Sequence, residues 1–339
     1  MTLATALILV VWGGVTAYAV LGGADFGAGV LHLCCSTGLA GRRRQMAITA
    51  AIGPVWEANH VWLIFVLTGL LTAFPDAFAA LGSVALAPAA LALAAIVVRG
   101  AALACDGQLG VAERVGRPVR MAFGVASLAA PLLLGALAGG LARQRLLVID
   151  GHIFAGGGLP LWVGPFQLVT GLLAVAACAA LAAVALAGSC ARSGEIVLAA
   201  SFRRQAIRAT VAVVALAAIA LAVSSASAPE LFRGLTGRGL PAVIVGFAAL
   251  CSTLVALGRR RDRAARAAIS LAVVALIWGW GLAQFPRLLG PRLTVAAAAA
   301  PSPELHAVAI AIAGGAALLV PSMWLLYGAF RRHAAEVAR

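Results

Sequence analysis

Residues 48–73 read ITAAIGPVWEANHVWLIFVLTGLLTA. This stretch contains one acid, Glu57, one imidazole, His60, and no Arg. A helix rises about 1.5 Å per residue, so about 20 apolar residues cross a bilayer. The stretch is long enough and predicts a membrane-crossing helix with Glu57, Asn59 and His60 placed inside it.

The rest of the chain is of the same kind. Its 339 residues are 63% hydrophobic and 11% charged, with a mean hydropathy of +1.05. A soluble domain carries roughly 25% charged residues. No soluble fold buries so much apolar surface, so the class is an all-α, polytopic integral membrane protein. The apolar character runs on to the last residues, unlike a signal peptide ahead of a soluble body. About nine spans are expected, over 3–34, 48–73, 77–105, 117–144, 162–189, 205–226, 238–258, 266–285 and 304–330, within a single transmembrane domain over 1–339. The connections are short and marked by Pro or Gly, as at Pro75 and Gly116–Pro118. No internal repeat is visible.

All 25 basic residues are Arg, and the formal net charge is +14. They lie in short clusters between apolar spans, without the interleaved aromatics of a nucleic-acid surface. Nineteen fall in the odd-numbered connections and the C-terminal segment, and six in the even-numbered ones. By the positive-inside rule this places the N-terminus outside and the C-terminus in the cytoplasm. The six Cys show no metal-ligand spacing with each other or with His, so no metal site is expected.

Ionisable groups inside spans are costly and are functional candidates by default. Asp25 and Glu57 each lie nine positions from the cytoplasmic ends of spans one and two, roughly 14 Å deep. Arg99 lies roughly 9 Å deep in span three. Consecutive helices with short connections tend to pack together, so these groups are expected to cluster. In an unbroken helix, Gly53, Trp56, Glu57, His60 and Ile64 share one face, Asn59 flanks it and Trp62 points away. Gly53, and the run GGADFGAG (22–29) with Gly27 and Gly29, allow close helix approach. Asp25, Glu57, His60, Arg99 and Asn59 are therefore candidates for a proton route, set against a purely packing role. His32 and His306 sit near span ends and read as interfacial or packing residues.

These stretches resemble subunit II of the cytochrome bd-type quinol oxidases. AVLGGADFGAGVL (19–31) is similar to the family's helix-one pattern, and GPVWEANHVWLI (53–64) to its more specific helix-two pattern. VVRG (97–100), GLAQFPRLLGPRLTV (281–295) and LLVPSMWLLYGAF (318–330) resemble later family segments in the same order. Four positions depart from the pattern: Gly22 stands where the family has Asp, Glu57 where it has Asp, Ala58 where it has Gly, and His60 where Glu or Gln is frequent.

The resemblance implies a bacterial cytoplasmic-membrane respiratory subunit that is inert alone. It would support a haem-bearing, quinol-oxidising subunit I and contribute proton or oxygen access. Haem b and haem d (or b) are expected in that partner and none in this chain, where no span offers a pair of axial ligands. Small single-helix accessory subunits, and a bound quinone or lipid, are left open. A proton-coupled secondary transporter and a structural membrane scaffold are the alternatives.

Overall fold

The computed structural model of the chain describes residues 1–35, 38–52, 55–106, 113–143, 146–149, 152–155, 160–290 and 293–336. Twelve helices account for most of them: α1 (Leu3–Leu33), α2 (Leu39–Ile52), α3 (Val55–Asn59), α4 (Val61–Ala73), α5 (Pro75–Asp106), α6 (Glu113–Ala142), α7 (Pro165–Arg192), α8 (Ile196–Ser227), α9 (Pro229–Thr236), α10 (Leu240–Gly258), α11 (Asp262–Gln284) and α12 (Ser302–Glu336). Two small antiparallel hairpins sit in connections, β1 (Leu146–Ile149) with β2 (His152–Ala155), and β3 (Arg287–Leu289) with β4 (Leu293–Thr294).

Long helices are what an apolar solvent dictates, because every backbone N–H and C=O must be satisfied within the chain. Seven of them, α1, α5, α6, α7, α8, α10 and α11, are long and apolar enough to cross a membrane. Two shorter apolar stretches, Glu57–Ala73 and Ser302–Leu318, accompany them. Pro75, Pro165 and Pro229 each open a helix, where the missing N–H has no intrahelical partner to lose.

α1 is the central element, lying against α4, α6, α7 and α11. α7 is its most enclosed neighbour, with Ala180, Ala183 and Ala187 fully buried. Small side chains there let helices pack closely where no hydrophobic force drives association. At one end of the bundle Arg203 on α8 reaches both carboxylate oxygens of Asp262 on α11, at 2.8 and 3.1 Å. On α9, Glu230 pairs with Arg233 and with Arg287 of β3, the latter at 3.1 Å.

Residues 48–73, expected as one helix, fall in three elements where they are described, and Gly53 and Pro54 lie outside the described residues. α2 ends at Ile52, α3 is a short helix from Val55 to Asn59, and α4 begins at Val61 after a turn at His60. α2 itself starts at Leu39, so most of the connection after α1 is helical. It docks on the bundle through the fully buried Ile48 and through Arg44, whose guanidinium lies 5.4 Å from the ring centre of Phe202 on α8.

Candidate functional site

Among the candidate residues, Asp25, Asn59, His60 and Arg99 come together along the C-terminal half of α1. Asn59 closes α3, is 4% exposed, and donates from Nδ2 to Asp25 Oδ2 at 2.6 Å. The His60 ring stands edge-on to Tyr18 and Phe26 of α1, with centroids 6.0 and 6.3 Å away.

Arg99 on α5 is fully buried. Its guanidinium carbon lies 5.0 Å from the Phe26 ring centre and 5.5 Å from that of Phe123 on α6. Two aromatic faces around a desolvated cation contribute about 2 kcal/mol or more. They do not replace hydrogen bonds, and Nε, Nη1 and Nη2 have no partner among the described residues. Tyr18 Oη and the Ser127 hydroxyl are also buried without a partner among the described residues. Buried polar groups are normally hydrogen-bonded to protein or ordered water, so this set of donors and acceptors suits a hydrated passage.

Glu57 does not join the cluster. Its side chain lies on the exposed surface of the chain. The reason is geometric: Glu57 and Asn59 are two residues apart, about 200° around a helix. With Asn59 turned to Asp25, Glu57 must face away. Ile64, expected on the same face as Glu57, is 63% exposed. Trp62 is half-buried and packs edge-on against Phe65 with centroids 6.3 Å apart. Gly53 lies outside the described residues, as does the side chain of Trp56.

Gly27 and Gly29 hold α1 close to its neighbours. A Cβ at Gly27 would collide with the backbone carbonyl of Cys178 on α7, and one at Gly29 with the Ser127 side chain on α6. These contacts seat Asp25 and Phe26 at a three-helix junction. His32 is buried edge-on to Phe123 at 5.4 Å, and His306 Nδ1 lies 2.7 Å from the Ser302 carbonyl oxygen one turn back.

Sequence reasoning passed over Tyr18, Phe26, Phe123 and Ser127. Tyr18 was findable, being one of two Tyr in the chain and two helical turns before Asp25. The others carried no signal distinguishing them from packing residues. Among the described residues no group of three or more His, Cys, Asp or Glu is placed to hold a metal ion. A separate apolar cavity of about 190 Å³ lies beside Trp12 and Trp280, whose rings stack at 5.2 Å.

Comparison with known proteins gives one consistent result. The family model described as cytochrome bd terminal oxidase subunit II matches residues 3–330. A Bacillus subtilis (strain 168) chain named as subunit II of a cytochrome bd menaquinol oxidase is 30% identical over 95 residues. That alignment spans 27% of this chain and 26% of the relative's length. A chain in the structure of bd oxidase from Geobacillus thermodenitrificans superposes with a TM-score of 0.76 at 24% identity. The superposition covers 97% of this chain and 99% of the other, a likeness of fold over the full length.

Proposed function

The chain belongs to the cytochrome bd terminal oxidase subunit II family, and from that premise we propose that it is the haem-free partner in a quinol:O₂ oxidoreductase of a bacterial cytoplasmic membrane. Quinol oxidation and oxygen reduction would take place in a haem-bearing subunit I, and this chain would bring protons towards it from the cytoplasmic side. Nine crossings, with α4 and α12 added to the seven long helices, the N-terminus outside and the C-terminus in the cytoplasm, complete the proposed topology of one transmembrane domain.

The observation that carries the reading is the Asp25–Asn59 hydrogen bond beside the buried Arg99. Oxygen reduction consumes protons, and a carboxyl group inside a membrane is a group that can take one up and release it. Asn59 orients the Asp25 carboxyl by donating to Oδ2, and Arg99 balances its charge when ionised. Tyr18, Ser127 and the Arg99 nitrogens offer positions to which water can bond on either side. His60 adds an imidazole against the same wall. Glu57, on the outer surface of a membrane helix, is too costly to leave against lipid. We assign it to the face that subunit I covers, where its carboxyl hands protons across the boundary.

We assign the quinone or lipid that the resemblance leaves open to the cavity at Trp12 and Trp280; Trp280 Nε1 and Gln284 Nε2, buried donors without a partner among the described residues, support this. Mass spectrometry of extracts from wild-type and Trp280→Ala complexes tests this, with loss of the bound molecule expected in the variant.

The interrupted span at α3 is a feature that secondary transporters also use. Purification through a tag on this chain separates the two readings. The oxidase reading predicts a co-purifying haem protein and quinol-dependent oxygen consumption. A stable chain without any haem partner would overturn it.

A further inference from the structure

Between α2 and the corner of α7 and α8 lies a second cavity of about 630 Å³, open on one side. This is well within the roughly 300–1,000 Å³ of small-molecule sites. Its lining is mixed, with apolar surface from Met46 and Ala47 on α2, Leu186 on α7 and Leu198 on α8. Its mouth is polar and carries one charge of each sign, Arg43 and Glu195. Both side chains are exposed, and neither makes an ion pair among the described residues. Ser193 lines the same mouth, with its hydroxyl proton directed to the carbonyls of Ser189 and Cys190 at 3.3 and 3.2 Å. Its lone pairs stay available as acceptors.

The position of the mouth fixes its surroundings. Ser193 ends α7 and Glu195 precedes α8, both membrane-crossing candidates. Residues at that level meet the headgroup layer that borders the hydrocarbon core. An amphiphile entering there presents its phosphate to the mouth and its acyl chains to the apolar surface.

We propose that this cavity seats one phosphatidylethanolamine, with its phosphate on Arg43 and its primary ammonium on Glu195. Arg binds phosphate through two parallel N–H donors. The ammonium has three donors, which suit the Glu195 carboxylate and the Ser193 oxygen. A phosphocholine head has no N–H to give either acceptor, and a lipid of net negative charge meets Glu195 without a counter-charge. The bound lipid fastens α2 to the α7–α8 corner. α2 leads into α3 and hence to Asn59, so its fixation bears on the Asp25 site without touching it.

The test uses the intact complex purified through this chain and stripped of loosely held lipid. Native mass spectrometry follows retention of added phosphatidylethanolamine, phosphatidylcholine and phosphatidylglycerol with matched acyl chains. One phosphatidylethanolamine is expected to be retained at least about tenfold better than either competitor, as the loss of a charge-assisted hydrogen bond implies. Arg43→Gln and Glu195→Gln should each reduce retention by a similar factor while the complex remains assembled. Equal retention of the ethanolamine and choline lipids, tighter retention of phosphatidylglycerol, or wild-type retention in both variants would overturn the assignment.

Discussion

Asn59 Nδ2 donates to Asp25 Oδ2 at 2.6 Å, tying the short helix α3 to the C-terminal half of α1. It joins the interruption in span two to the half-buried acid in span one, and so links the local break in a helix to the chemistry proposed for the chain.

Removing the donor alone tests that link. A charge-assisted hydrogen bond contributes about 1.5–3 kcal/mol, so its loss corresponds to about tenfold or more in rate. Asn59→Ala is expected to lower oxygen consumption by the purified complex by about this factor while haem content stays at the wild-type level. Unchanged turnover would show that Asp25 needs no donor from α3.

Glu57 gives a second prediction, because the exposed position separates it from the Asp25 cluster. Glu57→Ala is expected to slow oxygen consumption while the complex still assembles. Glu57→Gln keeps the shape and removes the titratable group, so it should be slowed to the same degree. If Glu57→Gln turned over at the wild-type rate with the wild-type pH dependence, the proton role of this residue would be wrong.

The glycines of α1 predict an order of damage. A Cβ at Gly27 meets the backbone of Cys178, whereas one at Gly29 meets the Ser127 side chain, of which Oγ can rotate away and Cβ cannot. Overpacking a well-filled contact costs about 1–3 kcal/mol. Gly27→Ala should therefore lower the yield and Tm of the complex more than Gly29→Ala. Adding Ser127→Gly, which removes both clashing atoms, should recover much of the loss in the Gly29 variant and leave the Gly27 variant unimproved.

Much of this arrangement was legible in the residues themselves. Asp25 and Arg99 stood out because charge is scarce in this chain and expensive inside a membrane, and the structure brings them to one place. The helix-one and helix-two stretches pointed to the family that the comparisons then showed. The face of span two was not legible, because periodicity assumes an unbroken helix. Glu57 and His60 share a face only in a regular α-helix, and the structure puts a turn at His60, whose N–H bonds to the Glu57 carbonyl three residues back, between α3 and α4. Phe26 and Phe123 were invisible as partners of Arg99, because a Phe in an apolar helix looks like any other packing residue until the helices are brought together.

The most direct test of the proposed proton route is oxygen consumption by the complex carrying Asp25→Asn, purified through this chain and normalised to haem. The account predicts a complex with wild-type haem content whose turnover falls by at least about tenfold, since the amide keeps the shape and cannot carry the proton. Wild-type turnover in that variant would contradict it.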